Sequence, residues 1–124
     1  MSKPEHFEIL EDHAVFRPTD YSSLHHVVEQ VAAVIAYARE KKIRKLMVVL
    51  IGPHGFPSPT IVERYYLVRK WAETARGHVH VAVVVKPKFI DADGFSVTVA
   101  TNNGFSGNVF PAEPEALAWL QSLA

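Results

Sequence analysis

Hydrophobic and polar positions along the chain alternate between a helical period and the continuous apolar runs that are typical of buried strands. Over residues 24–38 apolar side chains recur in steps of three and four, which predicts an amphipathic helix capped by Ser22 or Ser23. Residues 46–51 form an uninterrupted apolar run, as expected of a strand that is covered on both faces. Residues 78–85 alternate at first and then become wholly apolar, which predicts a second buried strand of this kind.

A second helix is predicted between these two strands, from Thr60 to about Ala75, and Gly77 is its expected stop. Its buried face is predicted to consist of Ile61, Tyr65, Val68, Ala72 and Ala75. Tyr66 falls outside this stripe. With Phe56 it is expected either to line a small apolar pocket or a partner surface, or to pack at the rim of the core.

The two ends of the chain predict shorter elements. Residues 7–10 and 14–17 are expected to pair as a hairpin whose second strand ends at Pro18. Residues 106–110 predict a short edge strand, and a last helix is expected to start near Pro114. The inward-facing residues of that helix are expected to be Leu117, Leu120 and Leu123.

Residues 95–100 carry two conflicting signals. Their alternation and β-branched side chains favour a strand. Asp93 as an N-cap, followed by Asn103 and Gly104 as a left-handed C-cap, favours a helix instead, and we take the helix. The predicted order is therefore β-β-α-β-α-β-α-β-α, an α/β domain with a mostly parallel sheet and helices packed on it.

Length and composition predict one domain over residues 1–124. Thirteen basic and 13 acidic residues give no general attraction to nucleic acid, and weak repulsion between copies makes a homodimer one expectation. The absence of cysteine excludes disulfides and thiolate catalysis. No apolar run reaches the roughly 20 residues that a membrane span needs. The first residues lack the apolar core of a signal peptide, so we expect a cytoplasmic protein.

The most informative stretch is the Gly/Pro-rich loop over residues 52–59, which joins the first buried strand to the second helix. In open α/β sheets, ligands and regulatory groups bind where a strand ends beside a helix N-terminus. A phosphate added there would gain charge-assisted hydrogen bonds, although Ser58 or Thr60 could equally serve only as a helix cap. The candidate regulatory or ligand-binding residues are His54, Phe56, Ser58, Thr60, Arg64 and Tyr66.

The sequence gives less support to a catalytic or a metal-binding function. Ser58 lies between two prolines and not in a Gly-x-Ser-x-Gly elbow, so it is not expected to be a nucleophile. Asp91 and Asp93 resemble turn and capping residues more than an acid pair. His78 and His80 share one face of a strand, but no third ligand is visible. We therefore expect no catalytic residue, no metal and no cofactor, and favour a non-enzymatic role over an enzyme.

The element order and three stretches, over residues 55–59, 63–65 and 95–102, resemble the STAS superfamily along nearly the whole chain. This is the fold of bacterial anti-sigma-factor antagonists and of sulfate-transporter regulatory domains. The chain is most similar to small uncharacterised STAS-like bacterial proteins often grouped with lipid-transfer (CRAL-TRIO) folds. The resemblance implies a helix over 95–103 and a phosphorylated residue at the start of the second helix, which here is Ser58 or Thr60. The acidic Asp-Ser-Ser-Gly type of sequence found in antagonists is replaced here by Gly-Phe-Pro-Ser-Pro.

Two functional hypotheses follow. The first is a non-enzymatic regulatory module of STAS type that binds an unidentified protein through the loop over residues 52–59 and the start of the second helix. The alternative is a binding or carrier domain for an apolar or anionic small molecule at the same strand end, screened by Phe56 and Tyr66. The alternative requires a pocket beneath the loop, and a completely filled core would exclude it.

Overall fold

The computed structural model describes residues 2–19, 23–51, 57–90 and 94–123. Within these ranges the strands are β1 (Phe7–Ile9), β2 (Ala14–Phe16), β3 (Lys45–Leu50), β4 (His80–Val85) and β5 (Gly107–Phe110). The helices are α1 (Leu24–Glu40), α2 (Ile61–Ala75), α3 (Phe95–Asn102) and α4 (Glu113–Gln121). The predicted α/β class and element order are thereby confirmed.

Local sequence accounts for the helix ends. Ser23 caps α1 through its hydroxyl, which accepts a hydrogen bond from the His26 amide at 3.1 Å. Helix α2 ends at Arg76 in a left-handed conformation, one residue before the expected stop at Gly77. Helix α3 begins after Gly94, which has no side-chain cap, and the predicted cap Asp93 lies outside the described residues.

The sheet has the strand order β1-β2-β3-β4-β5. Strand β1 pairs antiparallel with β2, as the predicted hairpin requires, and the other neighbours are parallel. Right-handed crossovers that always step in the same direction place their helices on the same face of a sheet. Accordingly α1, α2 and α3 contribute to one core cluster, and α4 packs on the opposite face.

This strand order has a consequence for ligand binding. In doubly wound sheets the ligand crevice opens where the strand order reverses, so that helices diverge to the two sides. Here the order from β1 to β5 never reverses, and no such crevice is formed by the described strands.

The buried stripe of α2 differs from the one predicted. Ile61 and Tyr65 are 67% and 46% exposed, although the periodicity placed both in the core. The inward side of the first turns is instead occupied by Arg64, whose guanidinium donates hydrogen bonds to main-chain carbonyls, and the stripe continues through Val68 and Trp71. Val68 and Ala75 are buried as predicted. The prediction was wrong for Ile61 and Tyr65, because it counted apolar residues and did not allow an arginine to face inward.

Candidate functional site

A cavity of about 120 Å³ lies on the three-helix face, between α2, α3 and the sheet. Its walls include Leu67, Trp71, Val83, Val97, Phe105 and Val109. The only polar residues among the described part of its lining are Arg64, Ser96 and Asn108. The described lining of this cavity is therefore almost wholly apolar.

The cavity follows one face of the two last strands. Val83 of β4 is paired in register with Val109 of β5, and both residues border the cavity. Asn108 is paired with Ala82, which belongs to the core cluster on the α4 face. Because side chains alternate between the faces of a sheet, Asn108 presents only its main chain to the cavity. The polar side chains at the described part of this site are thus those of Arg64 and Ser96.

Gly107 allows an aromatic ring to form part of the wall. A Cβ atom at this position would lie 2.7 Å from Cε2 of Phe105, which is closer than side chains tolerate. The Phe105 amide also donates to the Ala100 carbonyl at 2.8 Å, which ties the ring to the end of α3. Because Gly107 has no side chain, the Phe105 ring can lie directly against β5.

Trp71 forms a rigid wall on the opposite side. Its indole nitrogen donates to the Val28 carbonyl at 3.1 Å, and the residue is buried between α2 and α1. With its polar atom bonded to α1, the ring offers apolar surface to the cavity.

Arg64 links the start of α2 to the turn that follows β4. Its Nε donates to the Pro59 carbonyl at 3.2 Å, and its Nη1 donates to the Phe89 carbonyl at 3.0 Å. Phe89 and Pro59 also border the cavity. Of the six candidate residues named from the sequence, Arg64 is the one that the described structure brings to the cavity.

Three other candidate residues, Ser58, Thr60 and Tyr66, do not line the cavity. The Ser58 hydroxyl donates to the Lys88 carbonyl at 2.8 Å, and Ser58 is exposed. Thr60 is the N-cap of α2 in a reciprocal arrangement with Glu63: the Thr60 hydroxyl accepts from the Glu63 amide and the Glu63 carboxylate accepts from the Thr60 amide. Tyr66 is exposed on the outer side of α2. His54 and Phe56 lie outside the described residues.

The outer side of α2 presents a group of exposed apolar residues, which we call the α2 outer patch. It consists of Ile61, Val62, Tyr65 and Tyr66. Residues three and four positions apart on a helix lie beside each other, so Tyr65 adjoins Ile61 and Val62, and Tyr66 adjoins Val62. Val62 is 77% exposed, which is unusual for a valine in a helix that also packs on a core.

A histidine–serine pair lies at the amino-terminal end of the sheet. Nδ1 of His80 is 2.6 Å from the Ser106 hydroxyl oxygen. Burial lowers the pKa of His80 below its ordinary value, and the charges of Arg44 and Lys45 lower it further. Within the described part of the chain no carboxylate is ion-paired with His80, so the orienting acid of a catalytic triad is missing. The pair therefore joins β4 to the start of β5 and gives no support to a nucleophile.

Sequence reasoning named Arg64, which borders the cavity, but missed the residues that form its walls. Trp71, Val97 and Phe105 come from three separate elements, and no local motif connects them. The available signal was Gly107, an unexplained glycine at the beginning of a predicted strand.

Comparison of the chain with protein-family models, with curated proteins and with solved structures gives no match. In the described ranges no group of three or more histidine, aspartate or glutamate residues is arranged to hold a metal ion. The helices in those ranges include none that is both long enough and apolar enough to cross a membrane.

Proposed function

We propose that this chain is a small-molecule-binding domain that holds an apolar ligand in the cavity between α2, α3 and the sheet. The cavity itself carries the proposal. Protein interiors are close-packed and contain few voids larger than a water molecule. A cavity of about 120 Å³ exceeds by several-fold the roughly 10–15 Å³ that one water needs.

The lining favours an apolar occupant over water. An ordered buried water makes about three hydrogen bonds, and the cavity offers the side chains of Arg64 and Ser96 on one border and apolar groups elsewhere. An apolar ligand that fills the cavity would cover the apolar side chains of its walls, which is favourable by about 25 cal/mol per Å² of surface removed from water.

The proposal is tested by the mass of the protein purified from its native host, measured under native and under denaturing conditions. We expect a stoichiometric non-covalent adduct that disappears on denaturation and that is absent from Ala100→Leu, whose larger side chain enters the cavity. A chain that carries no adduct in either state, and that binds no apolar compound added afterwards, would contradict the proposal.

A second candidate function is a cytoplasmic regulatory module of STAS type, which binds a protein partner or a second copy of this chain. The α2 outer patch favours it, because contiguous exposed apolar residues are typical of interaction surfaces. Ser58 lies three residues before Ile61, the first residue of this patch, so a phosphate on Ser58 would add charge beside the contact surface.

The contacts at the helix start favour Ser58 over Thr60 as the phosphorylated residue. The Thr60 hydroxyl is engaged in capping α2, and a phosphate there would meet the Glu63 carboxylate, which has the same charge. Ser58 is exposed, and its hydroxyl donates to the Lys88 carbonyl, a hydrogen bond that a phosphate would replace. The adjoining residues Lys86 and Lys88 are exposed cations.

The same mass measurement tests this second function. A covalent phosphate on Ser58, removed by Ser58→Ala, supports it. If the partner is a second copy, sedimentation of the full chain will show a dimer that Val62→Glu dissociates and that Lys41→Glu, an exposed change on α1, does not. A monomer that carries no phosphate and no bound protein would contradict this function.

A further inference from the structure

Three aromatic rings from different parts of the chain border the cavity. Trp71 belongs to α2, Phe89 to the turn after β4, and Phe105 to the segment between α3 and β5. All three residues are buried, and Trp71 is held by its bond to the Val28 carbonyl. The remaining walls are mainly valines, which include Val83, Val97 and Val109.

We infer that the ligand of this cavity is a single uncharged aromatic ring of about six carbons, such as a benzene or toluene group, and not a long-chain lipid. The inference rests on the proposed ligand-binding function and names the class of ligand.

The cavity is partly open to solvent, so its volume sets the size of the group that it encloses. An apolar protein cavity of about 150 Å³ accommodates benzene, whereas pockets for drug-sized ligands measure roughly 300–1,000 Å³. The cavity here, at about 120 Å³, belongs to the first group. A fatty acyl chain would extend far beyond it.

The chemistry of the walls selects a ring over a short flexible chain. Aromatic rings attract one another in offset and edge-to-face arrangements worth about 0.5–1.5 kcal/mol beyond the area they bury. Valine side chains have few accessible rotamers, so the walls formed by Val83, Val97 and Val109 keep a fixed shape. A rigid ring loses less conformational freedom on entering such a site than an alkyl chain does.

The experiment is a titration of the ¹⁵N-labelled full chain with benzene and, separately, with decanoate, followed by amide chemical shifts. We expect saturable benzene-induced shifts in α2, α3, β4 and β5 and no saturable shifts with decanoate. Ala100→Leu should weaken benzene binding at least tenfold. Ala116→Leu makes the same substitution at a buried alanine on the opposite face of the sheet and should leave the affinity within twofold.

The other possible outcomes of this titration each contradict either the aromatic ligand or the ligand-binding function itself. Saturable binding of decanoate in preference to benzene, abolished by Ala100→Leu, would overturn the ring but keep the ligand-binding function. No saturable shift with either probe would overturn both. Benzene shifts that persist unchanged in Ala100→Leu would place benzene outside the cavity and overturn the inference. If Ala100→Leu does not fold, Val97→Phe, at a half-buried wall position, replaces it with the same expected loss.

Discussion

The two faces of the sheet are packed in opposite ways. On the α4 face, Ala82 and Val84 of β4 meet Ala116 and Leu120 of α4, and all of these residues are fully buried. On the three-helix face, Val83 of the same strand is half-buried and borders the cavity, which Val81, a fully buried residue, also borders. Val83 thus borders the cavity, while its two neighbours in β4, Ala82 and Val84, lie in a filled core.

This difference teaches that the cavity is a local feature and not the result of generally loose packing. A single short helix fills the α4 face, whereas the three crossover helices on the other face leave the cavity between α2 and α3. Stability measurements on matched substitutions can break or sharpen this comparison.

The largest difference is expected from truncating one leucine on each face. Leu120→Ala should lower the free energy of unfolding by about 3–5 kcal/mol, because it opens a new cavity in a filled core. Leu67→Ala, at a half-buried residue that already borders the void, should cost about 1–2 kcal/mol. Chemical denaturation of both variants measures the difference. Equal costs would show that the two faces are equally packed.

Enlarging one alanine on each face is expected to change the free energy of unfolding by a smaller amount, with a loss on the α4 face and no loss on the three-helix face. Ala116→Leu should destabilise the protein by about 1–3 kcal/mol, since the α4 core has no room for added methylene groups. Ala100→Leu should leave the free energy of unfolding unchanged or raise it by about 0.5–1 kcal/mol, because the new side chain fills the cavity. Thermal unfolding of the two variants provides the measurement. Destabilisation of both by the same amount would argue against a void beside Ala100.

The start of α2 should contribute about 1 kcal/mol through its cap. Thr60→Ala removes the hydroxyl that accepts from the Glu63 amide and should cost about that amount. Thr60→Ser keeps the acceptor and is the control, with little expected change. If Thr60→Ala proves as stable as the serine variant in denaturant titration, the capping bond contributes nothing and the preference for Ser58 as the phosphorylated residue loses its basis.

The smallest expected effect lies at the other end of the sheet and depends on pH. Burial, with Arg44 and Lys45, lowers the pKa of His80 from its ordinary value of 6.5. Below about pH 6.5 the unfolded chain therefore binds the proton more readily than the folded chain, and the free energy of unfolding falls as the pH falls through the folded pKa. His80→Gln should reduce this decline, and His78→Gln, at an exposed histidine two residues earlier, should not. Identical pH profiles for both variants would contradict the assignment to His80.

The element order and most element boundaries followed from the sequence because they depend on local signals. Ser23 and Gly104 mark helix ends through their own side chain or conformation, and the apolar run over residues 46–51 could only be a covered strand. The helix at Phe95–Asn102 was predicted correctly from the capping residues at its ends, although the alternation of its eight residues favoured a strand. Local chemistry therefore predicted the architecture.

The candidate site was only partly predictable, because it depends on which elements meet. Arg64 was named from its position after the loop, but its inward orientation depends on the Phe89 carbonyl, 25 residues away in the chain. Likewise, the Trp71 wall depends on α1 and the Phe105 wall on the missing side chain of Gly107. Such contacts between distant segments have no counterpart in a local pattern of residues.

The central claim is that the void on the three-helix face accepts an apolar guest, and a crystal structure of the full chain under xenon pressure tests it most directly. Xenon is apolar and binds in dry protein cavities without needing a specific contact. We predict a xenon atom between Trp71, Val97 and Phe105, and none against Leu120 on the α4 face. A crystal in which side chains fill the space beside Val97, with no xenon in it, would contradict the account.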